Sequence, residues 1–231
     1  MQEFLFWDDI FYSLNGSKYV FLDNFFYLVS YKWIWLFFYF CFLAVLVHRK
    51  NWKESVCVIL SITLVICLCD QISSSIMKPL FQQLRPTHHP DFMAQVKIVM
   101  GYRGGLYGFV SGHAANTFGF ATLMILIFRN KIFSVMIIFF AVVNAYSRVY
   151  LGVHFIRDVF AGMIVGVLIG LLVYKIYIFV RYKWIKIEKD ELKKPVCSKR
   201  KSYFLCMVFC FCLVVLFTFN SQLINILFGE R

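Results

Sequence analysis

Two histidines, one carboxylate and three cations stand in three short clusters along this chain. Lys78-Pro79-x5-Arg85-Pro86 comes first, Ser111-Gly112-His113 second, and Ser147-Arg148-x5-His154-x3-Asp158 third. These residue types suit phosphoryl transfer from a phosphate ester. One imidazole attacks phosphorus, a second handles the proton of the leaving oxygen, and cations hold the phosphoryl oxygens. The clusters are embedded in a sequence of membrane-type composition. Ionisable groups in such surroundings are costly, which makes them functional candidates by default.

His154 and Asp158 are four residues apart. On a helix that spacing is one turn and one face. A carboxylate there accepts from the imidazole Nδ1–H, fixes the tautomer and leaves Nε2 free to attack. Such a pair is more often a surface contact than a nucleophile, and it is the other clusters that shift the balance. Ser111-Gly112-His113 opens an apolar block. Unpaired N–H groups at a helix start attract anions, Gly112 admits a close approach, Ser111 adds a hydroxyl, and His113 projects at the same spot as an acid. The bland reading of Ser111 is an N-cap. Lys78, Arg85 and Arg148 have too few nearby acids to be paired, and arginine grips phosphate bidentately. Pro79 and Pro86 stiffen the first cluster. Lys32 and Lys175 read as snorkelling interface residues. Lys97 and Arg103 are placed to meet an anionic headgroup, and Asn144 to orient Arg148. His88 and His89 read as solvated.

The elements that must position these groups are apolar helices. Of 231 residues, 61% are hydrophobic and 20% aromatic, in long blocks rather than amphipathic patterns. The blocks predict an all-α polytopic membrane protein, a bundle of six transmembrane helices forming one domain. The spans fall at about Asn24–Val47, Ser55–Met77, Leu106–Phe128, Ile132–Tyr150, His154–Val180 and Tyr203–Leu227. The last carries no charged residue over its 25 positions, so it is the plainest of the six. Met1–Gly16 is short, acidic and aromatic. It lacks the basic start of a signal peptide and predicts an interfacial helix. Small residues repeat every fourth position in two blocks: Ser111, Ala115 and Gly119, then Gly162, Gly166 and Gly170. Such stripes let helix backbones approach in lipid. If they face each other, His113 comes near His154.

A net charge of +12 raises the question of nucleic acid, but the distribution answers it. Eight lysines and arginines lie between Arg181 and Arg200, Arg49, Lys50 and Lys53 follow the first span, and Arg129 and Lys131 follow the third. These alternate loops share one side of the membrane, which the excess of Lys and Arg makes cytoplasmic. No nucleic-acid partner is expected. The three polar clusters then face outward at one level, where a lipid headgroup lies. The eight cysteines fall mostly inside spans and read as small buried hydrophobes rather than a disulfide framework.

The three clusters resemble the three-part signature of the type 2 phosphatidic acid phosphatase superfamily, Lys-x6-Arg-Pro, Pro-Ser-Gly-His and Ser-Arg-x5-His-x3-Asp. Lys78, Arg85 and Pro86 match the first part. Ser111, Gly112 and His113 match the second, with Val110 in place of its proline. Ser147, Arg148, His154 and Asp158 match the third. The resemblance implies His154 as nucleophile forming a phosphohistidine, Asp158 as its orienting carboxylate and His113 as acid and then base. It implies Lys78, Arg85, Ser111, Gly112 and Arg148 as phosphate ligands, with no cofactor and no metal. It further implies a lipid phosphatase of the bacterial inner membrane with its site facing outward. The first substrate it suggests is undecaprenyl diphosphate, with phosphatidylglycerophosphate, phosphatidic acid and lipid A phosphate as alternatives. A non-catalytic lipid transporter or binding protein is the reading from another class, but the chain shows no paired, broken halves. Haloperoxidase chemistry, which the same superfamily includes, suits soluble proteins.

Overall fold

The computed structural model of the protein describes residues 9–48, 51–192 and 194–229. Regular structure in these residues is helical, apart from an isolated antiparallel bridge between Leu84 and Tyr107. The longer helices are α1 (Val20–Ser30), α2 (Leu36–Val47), α3 (Trp52–Phe81), α4 (Gly112–Phe128), α5 (Lys131–Tyr150), α6 (Ile156–Ile185), α7 (Lys199–Thr218) and α8 (Asn220–Phe228). Four of them, α3, α5, α6 and α7, are long and apolar enough to cross a membrane, and α1 with α2 makes a fifth when taken as one bent span. The fold is that of a polytopic helical membrane protein. Large apolar side chains point outward along its length, among them Val135, Leu168, Phe179 and Met207. Water would not tolerate that surface, whereas lipid does.

Local chemistry sets the helix starts. Asn51, Ser111, Asn130 and Ser198 each accept a backbone N–H two or three residues on with their side chains. One of these caps also explains a departure from the expected spans. The third block yields a helix only from Gly112, because Ser111 caps it and residues before it run as a loop. Its 17 residues rise about 26 Å. The fifth helix begins at Ile156 rather than His154, with Phe155 as its cap. The second block is longer than expected and carries a π-helical stretch, Gln71–Met77, just before Lys78.

The first and last blocks are each broken. At Tyr31 the backbone is extended, and α1 meets the piece Lys32–Val47, which is the short turn Lys32–Trp35 followed by α2, at 70°. The Trp35 indole donates to the Val29 carbonyl at 2.9 Å, which satisfies a group the break would otherwise orphan. The same ring is buried against Phe140 and Phe209. In the last block Phe219 separates α7 from α8. Residues 1–8 of the expected interfacial segment, Arg49, Lys50 and Lys193 lie outside the described residues. Residues 9–14 are helical, and Phe11 is buried against Phe92 and Phe155.

The two stripes of small residues do meet. A Cβ on Gly162 would lie 2.5 Å from the Ser111 carbonyl, one on Gly166 2.3 Å from that of Ala115, and one on Gly170 2.7 Å from that of Gly119. Helices α4 and α6 therefore touch backbone to backbone, which only glycine permits. Two polar locks hold the bundle ends. At one end Asn15 binds the Lys97 and Tyr150 backbones, while Asp23 takes Lys97 at 2.6 Å and the Tyr150 hydroxyl at 2.7 Å. At the other end buried Glu54 accepts from Arg181 at 3.0 Å and from the Tyr177 hydroxyl.

Candidate active site

The backbone contact of α4 with α6 builds the floor of the site. The Ser111 N–H donates to the Asp158 carbonyl at 2.9 Å, so the start of α4 is tied to the first turn of α6. Ser111 is fully buried, and its hydroxyl accepts from the Ala114 N–H at 3.5 Å. Its side chain thus caps the helix. Gly112 faces Ser73 of the π-helical stretch, where a Cβ would lie 3.0 Å from the hydroxyl. Val110, which stands where the signature has proline, is fully buried and follows a cis peptide bond from Phe109.

His154 and Asp158 are both almost wholly buried. His154 sits just before the cap of α6 rather than on it, since Gly152 turns the chain with φ +72°. The sequence-based expectation of two side chains on one helical face therefore gives way to a loop–helix pair. Their nearest atoms, His154 Nδ1 and Asp158 Oδ2, are 3.6 Å apart. That separation is ionic contact, longer than a hydrogen bond. Asp158 Oδ2 instead accepts the Phe155 N–H at 3.1 Å, closing the first turn of α6. His154 Nδ1 and Asp158 Oδ1 are buried without a hydrogen-bond partner. Gly108 lets the loop pass over this pair, for a Cβ there would come within 2.9 Å of Asp158 Oδ2.

Cations gather above this floor. Buried Arg85 reaches in from the loop after α3, donating from Nε to the Tyr107 carbonyl at 3.1 Å and from Nη1 to that of Val153 at 3.3 Å. Burial and the nearby Arg148 charge pull its pKa down to about 10, so it stays charged at neutral pH. Arg148, at the end of α5, is 2% exposed and donates to the Tyr102 hydroxyl at 3.0 Å, its Nε lacking a partner. Lys78, half-buried at the end of α3, donates to Ser74 at 3.4 Å. These three cations lie within reach of one another's charge, and no carboxylate pairs with any of them among the described residues. Gathering like charges in a partly dehydrated site is unfavourable unless an anion is bound there. His113, exposed at the mouth, feels Arg148, Arg85, Lys78 and also Lys32, and its charge is felt by His154.

Lys78, Arg85, Ser111, Gly112, His113, Arg148, His154 and Asp158 come to this one place, whereas the Ser147 hydroxyl donates to the Asn144 carbonyl. Some neighbours do other work. Asn144 donates to the Phe140 carbonyl rather than to Arg148. Lys97 is committed to Asp23. His88 contacts Thr87, and His89 packs edge-on against Phe92 and Phe155. Lys32 lies at the bend between α1 and α2, with its ammonium over the Trp33 ring, and its charge reaches His113. Two residues escaped the sequence altogether. Tyr102 lies under Arg148, 5.3 Å from guanidinium to ring centre, and Arg157 comes within 3.9 Å of Asp158 Oδ1. Neither carries a spacing signal. Tyr102 is one aromatic of many, and Arg157 falls among the unspecified positions of its cluster.

A cluster of cations over a buried His–Asp pair is an arrangement for phosphoryl transfer, and the comparisons with known proteins agree. Residues 54–182 match the PAP2 superfamily, and the chain belongs to it. It is a membrane phosphatase of that superfamily. It is 45% identical to the lipid A 4'-phosphatase of Porphyromonas gingivalis over 177 residues, covering 77% of this chain and 75% of the relative. It is 40% identical to the lipid A 4'-phosphatase of Bacteroides thetaiotaomicron over 161 residues, covering 69% and 72%. A dolichyldiphosphatase 1 from Dictyostelium discoideum is 30% identical over 128 residues, about half of each chain. No solved structure matches significantly.

Proposed function

We propose that this phosphatase removes a phosphate monoester from the sugar headgroup of a lipid A-type glycolipid. The observation that carries the substrate class is the likeness over three quarters of its length to a lipid A 4'-phosphatase. The first sequence-based expectation, undecaprenyl diphosphate, becomes the second reading, favoured by the shorter likeness to a dolichyldiphosphatase.

In the proposed reaction His154 Nε2 attacks phosphorus in line with the sugar oxygen. The P–N bond forms as the P–O bond breaks, and the electron pair leaves on the sugar oxygen. His113, at the open mouth, supplies the proton that oxygen needs. His113 then takes a proton from water, whose oxygen displaces His154 and releases inorganic phosphate. Asp158 supports the positive charge that develops on the His154 ring. Arg85, Arg148 and Lys78 hold the three peripheral oxygens, with Gly112 allowing approach to the start of α4 and Ser111 keeping that start in place. The site is proposed to face outward from the bacterial inner membrane, with the basic 181–202 loop in the cytoplasm.

The test is phosphate release by detergent-purified protein across lipid A, undecaprenyl diphosphate, phosphatidylglycerophosphate and phosphatidic acid, beside His154→Ala. Release from lipid A that falls at least about a thousandfold in the variant is expected. Preferred release from undecaprenyl diphosphate overturns the substrate assignment. Release that survives in the variant overturns the nucleophile.

A further inference from the structure

We propose that the Tyr102 hydroxyl is a substrate phosphate ligand of this site, donating its own proton to a phosphoryl oxygen held by Arg148. The inference rests on the phosphatase reading above. Tyr102 belongs to none of the three clusters and lies in the loop between α3 and α4, directly after the short turn Val99–Gly101.

Its position is fixed from several sides. Met100 and Gly101 both take left-handed backbone, φ +54° and +70°, and the Tyr102 N–H then donates to the Val99 carbonyl at 3.0 Å. Two consecutive residues of that kind turn the chain sharply. The ring meets Tyr27 of α1 edge-on at 6.3 Å between centres and lies beneath the Arg148 guanidinium.

The direction of the hydrogen bond carries the argument. A guanidinium can only donate, so Arg148 Nη2 donates to the phenol oxygen at 3.0 Å. The phenol proton must then point elsewhere, and no acceptor for it is found among the described residues. The charged groups that Tyr102 feels are Arg148 from α5, Arg85 from the loop and Lys78 from α3, all donors. A hydroxyl proton surrounded by donors calls for an anionic oxygen. The phosphoryl group that those same cations collect supplies it, and a hydrogen bond to a charged oxygen is about twice as strong as a neutral one. Burial raises the phenol's pKa, but the cations outweigh it and the net direction is down. A more acidic phenol is the stronger donor.

The decisive variant is Tyr102→Phe in the full-length protein, because it keeps the ring beneath Arg148 and removes only the hydroxyl. Vanadate, a phosphate mimic, probes the site independently of the lipid. With the donor lost, kcat/KM on lipid A should fall about 10- to 100-fold and vanadate should bind correspondingly more weakly. Unfolding temperature in detergent should fall only slightly, since buried Arg148 Nη2 loses one acceptor, and Tyr102→Ala should be worse than Tyr102→Phe. A Phe variant with wild-type turnover and wild-type vanadate affinity overturns the proposal, leaving Tyr102 a stacking platform for Arg148. If the wild-type protein releases phosphate from none of the lipids, the phosphatase reading fails. Calorimetric vanadate binding to wild type and Tyr102→Phe still decides the contact.

Discussion

At the scale of single residues, the site is organised by what each group lacks. Arg148 Nε, His154 Nδ1 and Asp158 Oδ1 are buried polar atoms without partners. Such atoms are expensive in a folded protein unless function requires them. Asp158 spends one oxygen on the Phe155 N–H and so fixes the first turn of α6 beside His154. His113 differs from His154 in being exposed at the mouth. In the proposed reaction the buried ring takes phosphorus and the open ring serves the leaving oxygen. A sugar alkoxide leaves poorly and needs a proton, whereas phosphate from a diphosphate is already a tolerable leaving group. His113→Ala should therefore cost at least about tenfold more rate on lipid A than on undecaprenyl diphosphate. Initial rates on the two lipids measure this, and equal losses would remove His113 from the leaving-group side.

At the scale of elements, the pairing of α4 with α6 decides whether a site exists at all. It places the Ser111-Gly112-His113 start against the first turn of α6 through a 2.9 Å backbone hydrogen bond. Gly166→Ala would thrust a Cβ to 2.3 Å from the Ala115 carbonyl, an atom of the backbone that cannot swing aside. Overpacking of this kind costs about 1–3 kcal/mol or more. The variant should unfold at lower temperature in detergent and lose activity, although residue 166 touches no reacting group. Gly105→Ala meets no atom within 4 Å and serves as the control, with unfolding temperature unchanged. The π-helical stretch Gln71–Met77 similarly resets the helical phase before Lys78, and so its direction.

At the scale of the whole molecule, the two bundle ends are held differently. The end with the site is fastened by Asn15, Asp23, Lys97 and Tyr150. The far end depends on Glu54, about nine-tenths buried with Arg181 at 3.0 Å. Glu54→Ala strands the Arg181 guanidinium in an apolar setting, which typically costs about 3–5 kcal/mol. A clear drop in unfolding temperature is expected, with KM for lipid A unchanged at temperatures where the variant stays folded. Orientation is testable too. In the proposed orientation the Lys- and Arg-rich 181–202 linker lies inside. An alkaline phosphatase reporter fused after Phe228 should be active in the periplasm, and one inserted after Lys189 should be silent. The reverse pattern would invert the proposed topology.

The sequence by itself carried the helical membrane class, the small-residue stripes and the three polar clusters. Each rests on composition or short-range spacing, which the chain displays directly. Those signals do not encode where a helix stops. Long apolar blocks, the first interrupted by Lys32, concealed the breaks at Tyr31 and Phe219, because hydropathy is blind to backbone direction; the packing of Trp35 against Phe140 and Phe209 beside the first break is tertiary. Helical spacing put His154 and Asp158 on one face, but the turn at Gly152 left His154 ahead of the helix. Tyr102 and Arg157 were invisible because their roles depend on what lies opposite, not on what lies next. Pairwise chemistry within a cluster is local and can be read from spacing. Chemistry between clusters depends on distances that only the packing of α4 against α6, and of the loop between α3 and α4 over both, decides.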